Sequence, residues 1–141
     1  MSPLNRFRLD GHVAVITGAG RGIGEGIARD FAVVGAKVVV AARRTNEIET
    51  VAKAINDAGG EAVAVQTDVT NNDALEHLAR TAINKFGRLT DWINNAGGSA
   101  MRMPSRDLPR EEWHRTVALN LTAVYEGSLI AEKYMDTGSI I

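Results

Sequence analysis

A glycine cluster close to the start of the chain carries the clearest chemical signal. Residues 17–24 read T-G-A-G-R-G-I-G, between an apolar β-branched segment at 12–17 and a segment with apolar residues at helical spacing. Glycine permits a tight turn and lets the backbone approach a ligand closely. A helix N-terminus offers unpaired N–H groups and the positive end of the helix dipole. The sequence therefore predicts a phosphate-binding turn; the alternative is a glycine-rich connection that binds nothing.

The spacing of these glycines distinguishes two kinds of nucleotide-binding turn. The common pattern G-x-G-x-x-G needs a third glycine where this chain has Ile23. The pattern present is T-G-x-x-x-G-x-G, with Gly18, Gly22 and Gly24 as the spaced set. The candidate nucleotide-binding residues of this turn are Gly18, Gly20, Arg21, Gly22, Ile23 and Gly24.

The end of the second predicted strand indicates which nucleotide binds. NAD sites of this type place an acidic residue there, about 20 residues beyond the glycine turn, to bind the ribose 2′-hydroxyl. Here Lys37–Ala42 is followed directly by Arg43 and Arg44, with no carboxylate. A guanidinium binds a 2′-phosphate that a carboxylate would repel. We therefore expect NADP(H) in preference to NAD(H), with Arg21 as a second phosphate partner. Two solvated arginines are the alternative, but they leave the missing acid unexplained.

Three further motifs follow in the chain. They are Asp68-Val69 after the third predicted strand, N-N-A-G at 94–97 after the fourth, and Asn120 in V-A-L-N-L on a helix. Taken singly, Asp68 would be an ordinary turn residue and Asn120 an exposed polar residue. Together with the glycine turn, and in this order, the motifs resemble the short-chain dehydrogenase/reductase family over about 9–141.

The resemblance implies roles for the residues of these motifs. In the family the N-N-A-G turn lines the cofactor and ties the sheet together, the aspartate meets the adenine ring, and the asparagine is catalytic because it supports a proton-relay water. The catalytic candidate is therefore Asn120. The candidate cofactor-binding residues outside the glycine turn are Arg43, Arg44, Asp68, Val69, Asn95, Ala96 and Gly97.

The remaining catalytic groups of the family are a serine and a Y-x-x-x-K pair beyond the fifth strand. Tyr125 is followed four residues later by Leu129, and Tyr134 by Gly138, so neither forms that pattern. The resemblance implies reversible hydride transfer between NADP(H) and a ketone or secondary alcohol, of hydroxysteroid or 3-oxoacyl type. We expect the 141-residue chain alone to be inactive. A non-catalytic NADP-binding module is the rival hypothesis; an epimerase of related fold is disfavoured by the N-N-A-G turn.

Strand and helix patterns alternate along the chain, as a site of this kind requires. Continuously apolar strands need cover on both faces, and parallel strands need crossover helices. The sequence therefore predicts one domain over 1–141, a Rossmann-type doubly wound parallel sheet in three α/β/α layers. The predicted strands are 12–17, 37–42, 61–67, 89–94 and a fifth in which the chain stops; the predicted helices run from 22, over 46–58 and 71–86, and from about 109 to 135.

Composition narrows the classes of partner. Lys and Arg number 16 against 17 Asp and Glu, which does not favour nucleic acid or an acidic membrane. Cysteine is absent and the three histidines show no ligand spacing, so we expect no metal. With no apolar leader or membrane-length segment, we expect a cytoplasmic protein. The predicted long helix carries an apolar stripe that either covers the sheet or joins a homodimer or homotetramer: Trp113, Val117, Leu121 and Val124.

Overall fold

The computed structural model describes residues 3–99 and 101–141. In this part of the chain, five parallel strands form one sheet in the order β3-β2-β1-β4-β5. The strands are β1 (Val13–Thr17), β2 (Lys37–Ala42), β3 (Glu61–Gln66), β4 (Asp91–Ile93) and β5 (Ser139–Ile140). The helices are α1 (Gly22–Val33), α2 (Thr45–Asp57), α3 (Asn72–Phe86), α4 (Arg110–Val117) and α5 (Ala123–Tyr134), with a π-helical segment, Ala118–Thr122, and 3-10 turns at Pro3–Phe7 and Ser105–Asp107.

The sheet is buried on both faces, as the continuously apolar strands predict. Successive side chains of a strand point to opposite faces. Val13 and Val15 of β1 therefore pack in one core with α3 and α5, whereas Ala14 and Ile16 pack in a second core with α1 and α2. All five residues of β1 are buried. The predicted doubly wound α/β/α architecture is confirmed.

The strand order reverses at β1, which sets the position of any ligand. From β1 the chain proceeds outward to β2 and β3, then returns to the other side of β1 for β4 and β5. In open parallel sheets, ligands bind outside the carboxyl ends of the strands at such a reversal. The glycine turn follows β1, and the 94–97 turn follows β4, so both lie at this point.

The helix ends agree with the sequence signals to within a residue or two, apart from one interruption. Asn71 caps α3 by accepting a hydrogen bond from the backbone N–H of Ala74, and Gly87 ends that helix with φ +84°. The helix predicted from about 109 to 135 is divided by the π-helical segment. Apolar spacing does not indicate this widening of the helix, which contains Asn120 and its contacts described below.

A polar clamp of Glu76, Arg80, Lys133 and Tyr134 joins α3 to α5 at the protein surface. Glu76 accepts hydrogen bonds from the ammonium of Lys133 at 2.6 Å and the hydroxyl of Tyr134 at 2.5 Å. Arg80 donates to the same hydroxyl at 3.0 Å. The Lys133 and Tyr134 hydrogen bonds, with the positive charges nearby, lower the pKa of Glu76. The clamp therefore favours the folded state while Glu76 is ionised.

Replacing Glu76 with glutamine should make unfolding less sensitive to acid. Because the folded-state pKa of Glu76 is lowered, its interactions stabilise the protein above the ordinary carboxyl range, and this stabilisation is lost as the pH falls. We expect E76Q to melt below the parent at pH 7, with the difference shrinking as the pH falls from about 5 toward 3. Thermal unfolding followed by circular dichroism measures the difference.

Glu132→Gln is the matched control for this prediction. Glu132 is an exposed carboxylate on the same helix, α5, with no hydrogen-bonded partner among the described residues. The E132Q substitution should change the melting temperature little, both at pH 7 and at acidic pH. A melting difference for E76Q that stays constant across the pH range would contradict the role of the clamp.

Candidate functional site

The glycine turn and the 94–97 turn are joined by hydrogen bonds around Thr17. The Thr17 hydroxyl donates to the Ile93 carbonyl at 3.2 Å and accepts from the backbone N–H groups of Asn95 and Ala96, both at 3.0 Å. The Asn95 amide donates to the carbonyls of Thr17 at 2.9 Å and Gly18 at 3.2 Å. Thr17 is 2% exposed. The carboxyl ends of β1 and β4 are thus held together as one unit.

The glycines of the first turn have different structural roles. A Cβ on Gly18 would lie 2.9 Å from the Ala96 Cα, and one on Gly24 would lie 2.5 Å from the Asn95 amide nitrogen. These two glycines therefore allow the glycine turn to pack against the 94–97 turn. A Cβ on Gly20 would instead lie 2.9 Å from the Glu47 carboxylate. Gly22 has φ +59°, and a Cβ on this residue would meet no atom within 4 Å.

The N-terminus of α1 is open, unlike that of α3. Arg21 stands at the N-cap position, but its side chain makes no capping hydrogen bond. Within the described residues, the backbone N–H groups of Gly22, Ile23 and Gly24 have no acceptor. The Ile23 side chain is 79% exposed beside them. Unpaired N–H groups at the positive end of a helix dipole are suited to an anion, so this cradle fits a phosphate.

Asn120 joins the long helix to the backbone beyond the 94–97 turn. Its amide donates to the carbonyls of Gly98 at 2.7 Å and Thr116 at 2.8 Å, and its side-chain oxygen accepts from the Gly98 N–H at 2.9 Å. Asn120 lies within the π-helical segment, and a Cβ on Gly97 would come within 2.8 Å of its oxygen. Such π bulges are frequent at functional sites. The structure thus brings Asn120 to the same edge of the sheet as the two turns.

The two arginines at the end of β2 differ in whether their guanidinium is hydrogen-bonded within the described residues. The Arg43 guanidinium makes no hydrogen bond within the described residues, and its carbonyl accepts from the Gln66 amide at 3.0 Å. Arg43, Gln66 and Asp68 line a shallow depression. The Arg44 guanidinium, in contrast, donates to the Glu47 carboxylate at 2.6 Å. Arg43 is therefore available to an incoming anion at this edge.

Asp68 is held as an ionised turn residue. It accepts hydrogen bonds from the Thr70 hydroxyl at 2.7 Å and the Thr70 N–H at 3.0 Å. The hydroxyl is the main cause that lowers the pKa of Asp68; the N–H and the charge of Arg43 add to it, and partial burial opposes it. Val69, next in the chain, is buried against the core. Asp68 therefore remains negatively charged at neutral pH.

Comparison with known proteins identifies the family. The family model described as short chain dehydrogenase matches residues 12–141. The chain belongs to this family. A 3beta-hydroxysteroid dehydrogenase 1 of Eggerthella lenta is 41% identical over 121 residues, which covers 84% of this chain and 46% of the relative. A 3-oxoacyl-[acyl-carrier-protein] reductase of Synechocystis is 38% identical over 128 residues, 90% of this chain and 51% of the relative.

Solved structures of short-chain dehydrogenases share the fold. A 7 alpha-hydroxysteroid dehydrogenase complexed with NADH and 7-oxo glycochenodeoxycholic acid is 37% identical, with a TM-score of 0.92 over 99% of this chain and 55% of that one. The chain therefore spans about half the length of the relatives it matches. The family is thus one of dehydrogenases, and this solved relative binds a nicotinamide cofactor, NADH.

Sequence reasoning assigned no role to two residues that shape this site. Thr17 begins the T-G-x-x-x-G-x-G pattern, but its hydrogen-bond partners lie far away in the chain and could not be predicted. Glu47 reads as an acid in the first turn of a helix, a common position near the helix dipole.

In the described ranges 3–99 and 101–141, there is no cluster of three potential metal ligands, and no helix is long and apolar enough to cross a membrane.

Thr17→Val tests the junction of the two turns. Valine matches threonine in shape but leaves the Ala96 N–H without its acceptor, whereas the Asn95 N–H keeps a second acceptor in the Ile93 carbonyl. Because Ala96 is partly buried, we expect a loss of about 1 kcal/mol of unfolding free energy, at the low end of the range for an unpaired buried donor. Urea unfolding followed by circular dichroism measures this loss.

Thr50→Val is the matched control for that measurement. The exposed Thr50 hydroxyl bonds only the Asn46 carbonyl in its own helix, so the change should stay within about 0.5 kcal/mol. A loss in T17V no larger than that in T50V would contradict the assigned role of Thr17.

Proposed function

We propose that this chain is the NADP(H)-binding part of an oxidoreductase that transfers hydride between the nicotinamide and a ketone or secondary alcohol. The observation that carries the proposal is the open N-terminus of α1, with Gly22 facing free space. It lies at the reversal of strand order, beside a β2 end that has Arg43 and no carboxylate at Ala42. The open helix N-terminus suits a pyrophosphate, and the arginine at the end of β2 suits a 2′-phosphate.

Each part of the nucleotide has residues of suited chemistry. The backbone N–H groups of the glycine turn and of Ile23 would bind the pyrophosphate, and Arg43, with Arg21, the 2′-phosphate. Arg44 is a less suitable ligand than expected because it is paired with Glu47. The adenine would lie by Asp68 and Val69, and the nicotinamide half along Asn95, Ala96 and Gly97. Bound there, the cofactor supplies the hydride chemistry.

The preference for NADP(H) rests on this chain's own residues. The solved relative described above is complexed with NADH, so family membership does not decide between the two cofactors. An acid that could bind a ribose 2′-hydroxyl is absent from Ala42, Arg43 and Arg44 at the end of β2. Charge and hydrogen-bonding geometry at that position favour the phosphorylated ribose.

The substrate class follows from the relatives by analogy. The substrates that the names of two relatives indicate, a hydroxysteroid and a 3-oxoacyl chain, both carry a hydroxyl or carbonyl group on a largely apolar body. We propose a substrate of this kind, with Asn120 as the one catalytic candidate of this chain. Because Tyr125 and Tyr134 lack a lysine four residues later, the 141-residue chain should bind the cofactor without oxidising NADPH in the presence of ketones.

A homodimer or homotetramer is the assembly we propose. Of the predicted apolar stripe, Trp113 is 58% and Leu121 is 67% exposed, so these two side chains do not cover the sheet. Tyr125 and Leu129 continue the exposed surface at helical spacing. Large apolar side chains in a row on a soluble protein mark a contact surface, and a second copy would supply an identical helix.

Cofactor preference is tested by titrating the chain with NADPH and NADH and following protein fluorescence. We expect NADPH to bind more tightly. Arg43→Ala should remove about 1–3 kcal/mol of the NADPH binding free energy, because a charge-assisted hydrogen bond is lost, and should leave NADH affinity unchanged. Arg88→Ala, an exposed arginine before the amino end of β4, is the control and should alter neither. Equal affinities of the parent for the two cofactors would overturn the preference.

The phosphate cradle is tested by a pair of glycine substitutions matched for backbone strain. Gly22 and Gly59 have φ +59° and +90°, and neither has an atom near the position of a Cβ. Alanine at either position costs about 1–2 kcal/mol of backbone strain, but only at Gly22 would the methyl enter the proposed pyrophosphate site. We expect G22A to weaken NADPH binding on the order of tenfold or more, and G59A to bind like the parent.

The two variants separate loss of the site from loss of the fold. Circular dichroism should show the same secondary structure for both. A folded G22A chain with parental NADPH affinity would mean that the glycine turn is not the phosphate site.

A further inference from the structure

An ion pair between Arg44 and Glu47 lies against the glycine turn, beside the end of β2. The guanidinium of Arg44 donates to the Glu47 carboxylate at 2.6 Å. The other carboxylate oxygen of Glu47 lies 2.9 Å from the position that a Cβ on Gly20 would occupy. The same position is 3.6 Å from the Ala42 Cβ. The first turn of α2 thus carries a carboxylate into the space between the glycine turn and β2.

Gly20 is what allows the carboxylate to lie there. A Cβ at this residue would also come within 3.0 Å of the Glu47 Cβ, so any side chain larger than hydrogen would displace Glu47. Gly20 has no positive φ, so its backbone conformation does not itself require glycine. The contact with Glu47 therefore favours glycine at this position.

The two arginines after β2 consequently differ in charge environment. Arg44 has its charge balanced by a carboxylate at hydrogen-bonding distance. Within the described residues the Arg43 guanidinium makes no hydrogen bond, its charge acts on the Asp68 carboxylate across the depression that both residues line, and its carbonyl accepts from the Gln66 amide. An anion approaching this edge therefore meets one arginine that is hydrogen-bonded to a carboxylate, Arg44, and one that is not, Arg43, with Asp68 nearby. The side chains are 58% exposed for Arg44 and 27% for Glu47, so solvent limits the effect to a modest one.

On the basis of the proposed function, we infer that Glu47 is a specificity-determining residue for the nucleotide. Its carboxylate, which lies beside the glycine turn, pairs with Arg44 and balances the charge of that arginine. Arg43 is then the residue after β2 that recognises a 2′-phosphate, and Glu47 sets how strongly that phosphate is favoured. Glu47 acts through charge and through the position of Arg44, and is therefore a positioning residue.

Two adenosine nucleotides that differ by the 2′-phosphate isolate this effect: 2′,5′-ADP and 5′-AMP. Their dissociation constants are measured by isothermal titration calorimetry with the parent chain, R44M, E47Q and the double variant R44M/E47Q. Methionine keeps much of the length of arginine, and glutamine the shape of glutamate. All four proteins are compared by circular dichroism first. None of these measurements depends on turnover.

The charge balance predicts a distinct result for each variant. R44M leaves the carboxylate unpaired near the phosphate and should weaken 2′,5′-ADP binding roughly 3–10-fold. E47Q leaves the Arg44 charge unbalanced and should strengthen 2′,5′-ADP binding on the order of 3-fold. The double variant should return to within about 2-fold of the parent, because both charges are gone. 5′-AMP should stay within about 2-fold throughout.

Other outcomes overturn the inference. If the double variant is as weak as R44M, Arg44 itself binds the phosphate. If E47Q weakens 5′-AMP, Glu47 binds the ribose hydroxyls instead. Unchanged 2′,5′-ADP affinity in all three variants would remove any role for the pair. If the parent fails to prefer 2′,5′-ADP over 5′-AMP, the proposed cofactor preference fails, and that result is separate from the behaviour of the variants.

Discussion

The hydrogen bonds of Thr17 and Asn95 at the ends of β1 and β4 are the interaction on which the site depends. Backbone groups beyond the last residue of a strand lose their ladder partners, and buried polar groups must be satisfied elsewhere. The Thr17 hydroxyl serves two N–H groups and a carbonyl, and the Asn95 amide serves two carbonyls. Because these bonds cross between strands, the two turns cannot move independently. The backbone beyond the second turn is then tied to the long helix through Asn120.

This coupling fixes the start of α1 relative to the sheet. Gly18 and Gly24 let the glycine turn approach Asn95 and Ala96 closely, so the first N–H groups of α1 are held in place by the neighbouring turn. Their own hydrogen-bonding capacity stays unused within the described chain. An anion site made of rigid backbone groups needs little reorganisation when its ligand arrives, which favours binding. The same contacts that close the core therefore leave the phosphate cradle open.

The sequence predicts the architecture well because the architecture depends on local periodicity. Apolar strands alternating with amphipathic helices require a parallel sheet covered on both faces, and the glycines and Asn71 mark helix ends through their own backbone chemistry. The motifs also predict that the candidate site residues lie at the carboxyl ends of the strands, where the structure has them. The π-helical segment could not be predicted, because it accompanies bonds from Asn120 to the distant Gly98. The contact of Glu47 with Gly20 likewise exists only once α2 packs beside the glycine turn.

In the proposed NADP(H) site, recognition of the two phosphates is divided between backbone and side chains, and the division has a physical consequence. The pyrophosphate cradle consists of N–H groups that every residue carries, so its selectivity comes from geometry, and geometry is constrained by Thr17, Asn95 and the close glycines. The proposed 2′-phosphate would be met at the end of β2 by the exposed arginines Arg43 and Arg44, with the half-buried Glu47 beside them. Arg43, Arg44 and Glu47 are all outside the two hydrophobic cores. On this proposal, nucleotide binding is tied to the fold, whereas the choice between nucleotides depends on a small balance of surface charges that can vary while the fold remains intact.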